Sequence, residues 1–394
     1  MTSAWWRMRT KDNSGLHGRR RALTWIAGAL TPPGVWAGLL ARRSSPVAGA
    51  EPVPHSSPVT RFAPVVPGYR IRFPQDEGSH PAFRTEWWYV TGWLEAPTRK
   101  PFGFQITFFR ARAEIDETNP SAFTPRQVMI AHAALSDAAR GRLTHDQKLA
   151  RAALGLAGAD EGRVRVWLDD WTLVHEGGVY RARIPAREFT LDLVFAQTQS
   201  PLLQGDEGFS RKGPTSEAAS YYYSLPQLRV EGTVTESGRH EAVKGSAWLD
   251  HEWSSSYMDE RASGWDWLGI NFDDGSALMA FRMRDRATGG KFWAGGAYRT
   301  AAGVRRVFSP QEIEFVPLRS WRSPRTGAVY PVAWRIEIPG RRVTLEPLMN
   351  DQEHDTRTSV GTVYWEGAVT ALIDGKPVGR GYLELTGYWQ PMKL

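Results

Sequence analysis

Cysteine is absent from all 394 residues, which excludes disulfides, thiolate nucleophiles, Cys-ligated zinc and iron–sulfur clusters. Stability must therefore come from a sizeable packed core. No G-x-S-x-G elbow occurs, so a standard α/β-hydrolase is not expected. His251-Glu252 opens like H-E-x-x-H, but Ser255 stands where the second histidine belongs. Neither a Walker loop nor a G-x-G-x-x-G after a strand pattern is present. With no dense His/Asp cluster in the sequence, no metal is expected. Helical periodicity is scarce, Asp146 to Leu156 being its best candidate.

Charge is abundant but badly distributed. Residues 1–50 contain eight Lys/Arg and one acid, so the formal excess of +7 lies entirely there and the rest is balanced. The basic character belongs to this leader, which removes the main support for a nucleic-acid partner. Arg19-Arg20-Arg21 precedes an apolar stretch from Ala22 to Leu40, and Ala48-Gly49-Ala50 suits a small-residue cleavage site. Paired arginines before a modest apolar run resemble a twin-arginine export signal. The expected location is periplasmic or extracellular. An uncleaved leader is the alternative and would hold the protein at a membrane surface.

From about Ile71 the pattern is short strands separated by Gly, Pro and Asp/Asn turns, as in Trp87 to Leu94, Phe189 to Phe195 and Thr362 to Leu372. Asp273-Asp274-Gly275 marks a hairpin between two such runs. Many short strands without intervening helices predict an all-β protein of two β-domains, barrels or sandwiches rather than a parallel α/β sheet. The expected divisions are a signal at 1–50, a linker at 51–68, and domains at 69–255 and 256–394.

Tryptophan is plentiful, with 18 residues, which suggests aromatic-lined pockets as well as core filling. The richest stretch runs from Trp248 to Trp267. It places Asp250, His251 and Glu252 between Trp248 and Trp253, followed by Gly264-Trp265-Asp266-Trp267. A histidine flanked by carboxylates can be tuned as acid or base, or it can simply be a satisfied histidine at a domain joint. Strand parity puts Asp266 on one face with Leu268, Ile270 and Phe272. A carboxyl on an apolar face is desolvated and kept protonated, which makes Asp266 the expected proton donor; the bland reading is a core aspartate bonded to backbone. Glu86 likewise shares a face with Trp88 and Val90, and His80 can approach it after folding. Tyr221-Tyr222-Tyr223 follows a polar stretch from Gly205 to Pro214 that reads as a mobile loop; these tyrosines either close over a ligand or anchor the loop. Gln352-Glu353-His354 and the segment from Gly381 to Gly387 read as structural.

Five blocks together resemble a known family. They are His80-Pro-Ala-Phe-Arg-Thr-Glu-Trp-Trp-Tyr-Val-Thr-Gly92, Trp248-Leu-Asp-His-Glu-Trp253, Gly264-Trp-Asp-Trp267, Tyr364-Trp-Glu-Gly367 and Gly381-Tyr-Leu-Glu-Leu-Thr-Gly-Tyr388. The family is similar to carotenoid 1,2-hydratases (hydroxyneurosporene synthases) and the AttH-like predicted secreted hydrolases. The resemblance implies two lipocalin-like barrels and cofactor-free addition of water across a trisubstituted double bond of an acyclic isoprenoid. The leader and the form of the second block look more like the AttH-like branch, for which the resemblance implies no firm activity.

On this reading Asp266 donates the proton, and His251 and Glu86 tune it or orient water. Trp248, Trp253, Tyr257, Trp88 and Tyr222 line the site, supported by Asp250, Glu252 and His80. The expected partner is an apolar isoprenoid or lipid. The competing reading is a non-catalytic lipocalin-like carrier or chaperone in the cell envelope. The sequence does not specify an oligomeric state.

Overall fold

The computed structural model describes residues 62–115, 119–121 and 124–392. The leader and most of the linker lie outside the described residues.

Alternating apolar and polar residues fold into strands throughout, as in Phe189–Ala196, where every second side chain is buried. The first sheet contains β1 (Thr85–Ala96), β2 (Arg99–Arg112), β3 (Gln127–Ser136), β4 (Thr144–Arg151), β5 (Ala157–Ala159), β6 (Arg165–Leu168) and β7 (Trp171–Glu176). It continues through β8 (Val179–Pro185), β9 (Phe189–Ala196), β10 (Leu202–Leu203), β11 (Phe209–Arg211), β12 (Ala219–Glu236) and β13 (Arg239–Ser256). The second contains β14 (Ala262–Phe272), β15 (Ala277–Asp285), β16 (Lys291–Arg299), β17 (Arg305–Phe308) and β18 (Glu314–Arg322). It ends with β19 (Val329–Ile338), β20 (Arg341–Pro347), β21 (Glu353–Thr356), β22 (Thr362–Ile373) and β23 (Lys376–Leu385).

Their order is β4-β3-β2-β1-β13-β12-β9-β8-β7-β6-β5 in the first sheet, with β10 and β11 added on β12. In the second it is β17-β16-β15-β14-β23-β22-β20-β19-β18, with β21 added on β22. The strand pairings are antiparallel. Among the described residues there is no α-helix, and the protein is all-β with two lipocalin-like antiparallel sheets. One sheet gives way to the other between Ser256 and Ala262. Turn chemistry sets the hairpins: Ser237-Gly238 and Asp374-Gly375 have φ of 50° and 76°, and 50° and 74°. These are the left-handed pairs that two-residue hairpins demand.

Packing produces three cores rather than two. Trp88, Val90, Leu249 and Trp253 point into the first sheet's interior, while Leu268, Ile270, Trp365 and Leu383 fill the second. Alternate residues of the same strands, including Tyr89, Trp93, Trp248, Trp267 and Tyr382, form a third core where the sheets meet. A strand buried on both faces must be apolar or hydrogen-bonded on both, and Trp88, Trp93, Trp248, Trp253, Trp267 and Trp365 fill these faces. Each fully buried large apolar side chain contributes roughly 3 kcal/mol.

Three expectations need correction. Residues 144–151 form a strand, not a helix: β4 pairs with β3 from Val128↔Arg151 to Leu135↔Thr144. Leu149, Leu154 and Leu156 are all exposed, so this segment presents no apolar helical stripe to a core. Residues 205–214 are not a free loop, because Phe209–Arg211 is hydrogen-bonded to β12, and Tyr221, Tyr222 and Tyr223 lie within that strand. Residues 62–68 do not behave as a linker, since Val65 joins the first interior and Ser255 Oγ donates to the Ala63 carbonyl at 2.6 Å.

Candidate active site

Two of the sequence candidates meet inside the first sheet, and a third meets them from the preceding loop. β1 and β13 pair with Trp88 opposite His251 and Glu86 opposite Trp253, so Glu86 and His251 share the inner face. His251 Nε2 lies 2.9 Å from Glu86 Oε1. His80 Nδ1 lies 2.7 Å from the same oxygen, and its other ring nitrogen is 3.3 Å from Asp76. Arg110 Nε donates to Glu86 Oε2 at 2.8 Å.

Both neighbours of His80 are carboxylates that accept, so its two ring nitrogens both donate and the ring is an imidazolium. Burial opposes that charge, but the hydrogen bonds to Asp76 and Glu86 outweigh it and raise the pKa. Burial likewise opposes the Glu86 charge, yet His251, His80 and Arg110 hold its carboxyl well below the usual range. His251 is bonded on its other nitrogen by Tyr223, and burial pushes its pKa down. Glu86 and Asp76 thus face His80, His251 and Arg110 in one hydrogen-bonded network. Trp88 stacks on His251 and Trp253 on His80, so these two tryptophans line this network rather than a ligand site.

Asp266 goes elsewhere. Parity was correct: it faces the second interior while Trp265 and Trp267 face the joint. Its carboxyl, however, accepts from Arg282 Nε at 2.5 Å, from Arg284 and from Tyr388 at 3.0 Å. Every partner is a donor, so the group serves as a buried acceptor and not as a free acid. It does not meet His251, which lies in the other interior. Asp266→Asn is expected to lower stability by about 2 kcal/mol while leaving any turnover per folded molecule within about threefold; urea unfolding and activity normalised to folded protein check this.

The joint contains the better site. Here a cavity of about 490 Å³ is walled by aromatic side chains including Trp87, Tyr89, Phe109, Tyr257, Trp265 and Trp267. Four carboxyl groups, Asp250, Glu252, Glu366 and Glu384, border it, as do Glu86 and Arg110. Asp250 accepts from Tyr222 at 2.6 Å, Ser224 at 2.5 Å and Trp248 at 2.7 Å. Burial nevertheless pushes its pKa up to about 7. Glu252 is raised by burial against the pull of Lys212, 2.7 Å away, and it also accepts from Ser220. Trp248 and Tyr222, expected to line the site, support it through Asp250, whereas Tyr257 does border the cavity.

Glu366 and Glu384 sit directly opposite each other on β22 and β23. Glu366 is buried and Glu384 half-buried, and like charges in such a place cannot both ionise freely. Burial, then the charge of Glu384, pushes Glu366 well up. Burial raises Glu384 to about 7, although Trp265 Nε1 donates to it at 2.8 Å. Tyr89 donates to Glu366 Oε1 at 2.5 Å, and Oε2 is buried with no partner. A protonated carboxyl with an unpartnered oxygen on a cavity wall is a proton donor in waiting.

These acids also set how stability varies with pH. Asp250, at about 7 when folded against 3.8 ordinarily, keeps its proton longer in the folded state. Its contribution is full below its unfolded pKa and is lost as pH rises through about 7. Glu86 acts in the opposite sense, its contribution present above 4.5 and lost as pH falls. From these two groups unfolding free energy should therefore peak near pH ~4–4.5, and Asp250→Asn should remove roughly 4 kcal/mol of the decline between there and about pH 7. Denaturant titrations of both proteins across this range check the slopes.

Known proteins carry the same architecture. Residues 64–388 match the family model described as AttH-like. The crystal structure of an AttH protein from Nitrosomonas europaea superposes with a TM-score of 0.78 at 54% identity, covering 83% of this chain and 100% of that one. That of kievitone hydratase from Nectria haematococca shares the fold, with a TM-score of 0.62 at 16% identity over 84% of this chain and 97% of that one. Kievitone hydratase of Fusarium solani subsp. phaseoli is 26% identical over 215 residues, 52% of this chain and 59% of that protein. The dehydratase asqC of Emericella nidulans is 24% identical over 159 residues, 38% of this chain and 43% of that protein. The chain thus spans less than two thirds of the curated relatives it matches. With the family pattern running from residue 64 to 388, across both sheets and the cavity between them, this chain belongs to the AttH-like family.

Proposed function

We propose that the protein is a hydratase or dehydratase acting in the cavity between its sheets, on an apolar substrate of isoprenoid or lipid type. The facing pair Glu366 and Glu384 carries this reading. In the hydration direction Glu366 gives its proton to the less substituted alkene carbon, leaving a tertiary cation beside the aromatic walls. Water, held by the Glu384 carboxylate, forms the new C–O bond and passes a proton to Glu384. Proton exchange between the two carboxyls then restores the starting state. Dehydration is the same path reversed, with Glu366 taking back a proton from carbon. The kinship with a hydratase and a dehydratase supports the reaction class. Export through the leader at residues 1–50 belongs to the same proposal.

The test is incubation with kievitone and with acyclic isoprenoid alkenes in ¹⁸O-water, read by mass spectrometry. Product carrying one labelled oxygen is the expected result. Binding of these compounds without turnover in either direction would make the protein a carrier instead. Where turnover occurs, kcat/KM for hydration should rise through about pH 7 as Glu384 ionises and fall again once Glu366 loses its proton.

A further inference from the structure

Taking the cavity between the sheets as the substrate site already proposed, we infer that the turn at residues 359–362 and the segment at residues 390–392 form its entrance. Val360 and Met392 are then the residues that select what passes. Among the described residues that border the cavity, the exposed ones are Val360, Gly361, Gln390 and Pro391. Asp250, Glu252, Glu366 and Tyr89, on the same walls, are all buried. The acids therefore lie at the closed end and these two short segments at the open one. Gly361 confirms the opening: its φ is 73°, and a Cβ added there would meet no atom within 4 Å.

Each segment is anchored on its own side. Tyr388 donates to Asp266 at 3.0 Å, and its ring centre lies 3.8 Å from the Arg284 guanidinium, which fixes the chain just before residue 390. The Met392 amide donates to the Ser263 carbonyl at 2.9 Å. Opposite, Ser359 bonds His132 at 2.9 Å and donates to Gln147 at 2.6 Å, both on the first sheet.

The contacts that cross the mouth are weaker. The Thr362 hydroxyl lies 3.8 Å from Met392 Sδ, and a thioether is a poor acceptor. The Arg357 guanidinium lies 5.7 Å from the Trp389 ring centre, an arrangement that contributes about 0.5–1 kcal/mol at an exposed site. Side chains can thus part here without breaking a strand. Methionine is unbranched and adapts its shape, whereas Val360 is stiff, so the opening yields on one side and holds on the other. A ligand entering between them meets the acids last. Its reacting end goes in first, and the cross-section of the part that follows is what Val360 and Met392 read.

The chain has no cysteine, so Val360→Cys supplies a single thiol at a side chain that is 40% exposed. Binding of farnesol, a slim chain, and of adamantanemethanol, a rigid cage, is followed by stopped-flow quenching of tryptophan fluorescence, since Trp87, Trp265 and Trp267 stand in the walls. Unlabelled Val360→Cys should bind both within about twofold of wild-type rates, and coupling to a polyethylene glycol maleimide should slow entry and exit at least about tenfold. Met392→Ala should speed entry of the cage more than that of the chain. Uptake by the labelled protein as fast as by the unlabelled one would overturn the entrance, and unchanged entry of the cage into Met392→Ala would overturn the role of Met392. Failure of the wild type to bind either probe would overturn the entrance together with the cavity's role as an apolar-ligand site. Because binding is read without turnover, loss of the proposed hydration chemistry would show separately.

Discussion

Glu366→Gln is expected to lower turnover about 10³-fold without unfolding the protein. The magnitude is that of removing a positioned general acid. The amide keeps the shape of the carboxyl, and its oxygen still accepts from Tyr89, whose bond to Glu366 is 2.5 Å. What it lacks is an acidic proton at the position of Oε2, the atom without a partner. Stability should hold or rise, because a neutral amide has no ionised form to desolvate. Product formation and thermal unfolding, measured on one preparation, separate the two effects. A variant that keeps wild-type turnover would remove Glu366 from the mechanism, and Glu384→Gln would then show whether the pair matters at all.

Glu86→Ala should be the most destabilising single substitution considered, at about 3–5 kcal/mol. It leaves the Arg110 guanidinium, whose side chain is 0% exposed, without its carboxylate. It also removes the group that bonds His80 and His251. The energy lost comes mainly from stranding these partners, so removing Arg110 as well should recover part of it. A double-mutant cycle with Arg110→Met, followed by urea unfolding, is expected to give a coupling of roughly 2 kcal/mol. Additive losses would mean the pair is incidental to folding. The network's place between loop 76–80, β1, β2 and β13 suits a structural clasp, one end of which, Glu86 and Arg110, reaches the cavity wall.

Face assignments were legible because alternation is local. Asp266 with Leu268 and Ile270, and Glu86 with Trp88 and Val90, fall where parity puts them. Roles were less legible, because they depend on neighbours across strands. The turn at Asp273-Asp274-Gly275 did hold the missing information for Asp266: counting outward from it brings Arg282 opposite, an arginine where an apolar wall was expected. For Glu366 the same counting fails. Outward from Asp374-Gly375 it would pair Glu366 with Leu383, but a bulge between Ala371 and Leu372 shifts the register by one and brings Glu384 opposite instead. A bulge of one residue reverses the face that meets the partner, and here it turns an apolar pairing into a carboxyl pair.

From sequence alone came the all-β class, the absence of thiol chemistry, the family resemblance and the division of each strand into two faces. These follow from composition, turn residues and a period of two, all of them local. Only the tertiary structure decided which faces meet. Docking the outer faces of β1, β13, β14, β22 and β23 created a third core and its cavity, and desolvation there raised Asp250, Glu366 and Glu384 together. The acidity of a carboxyl is set by everything within a few ångströms of it, and in this protein those neighbours come from segments up to nearly 300 residues apart, as the bond from Tyr89 to Glu366 shows.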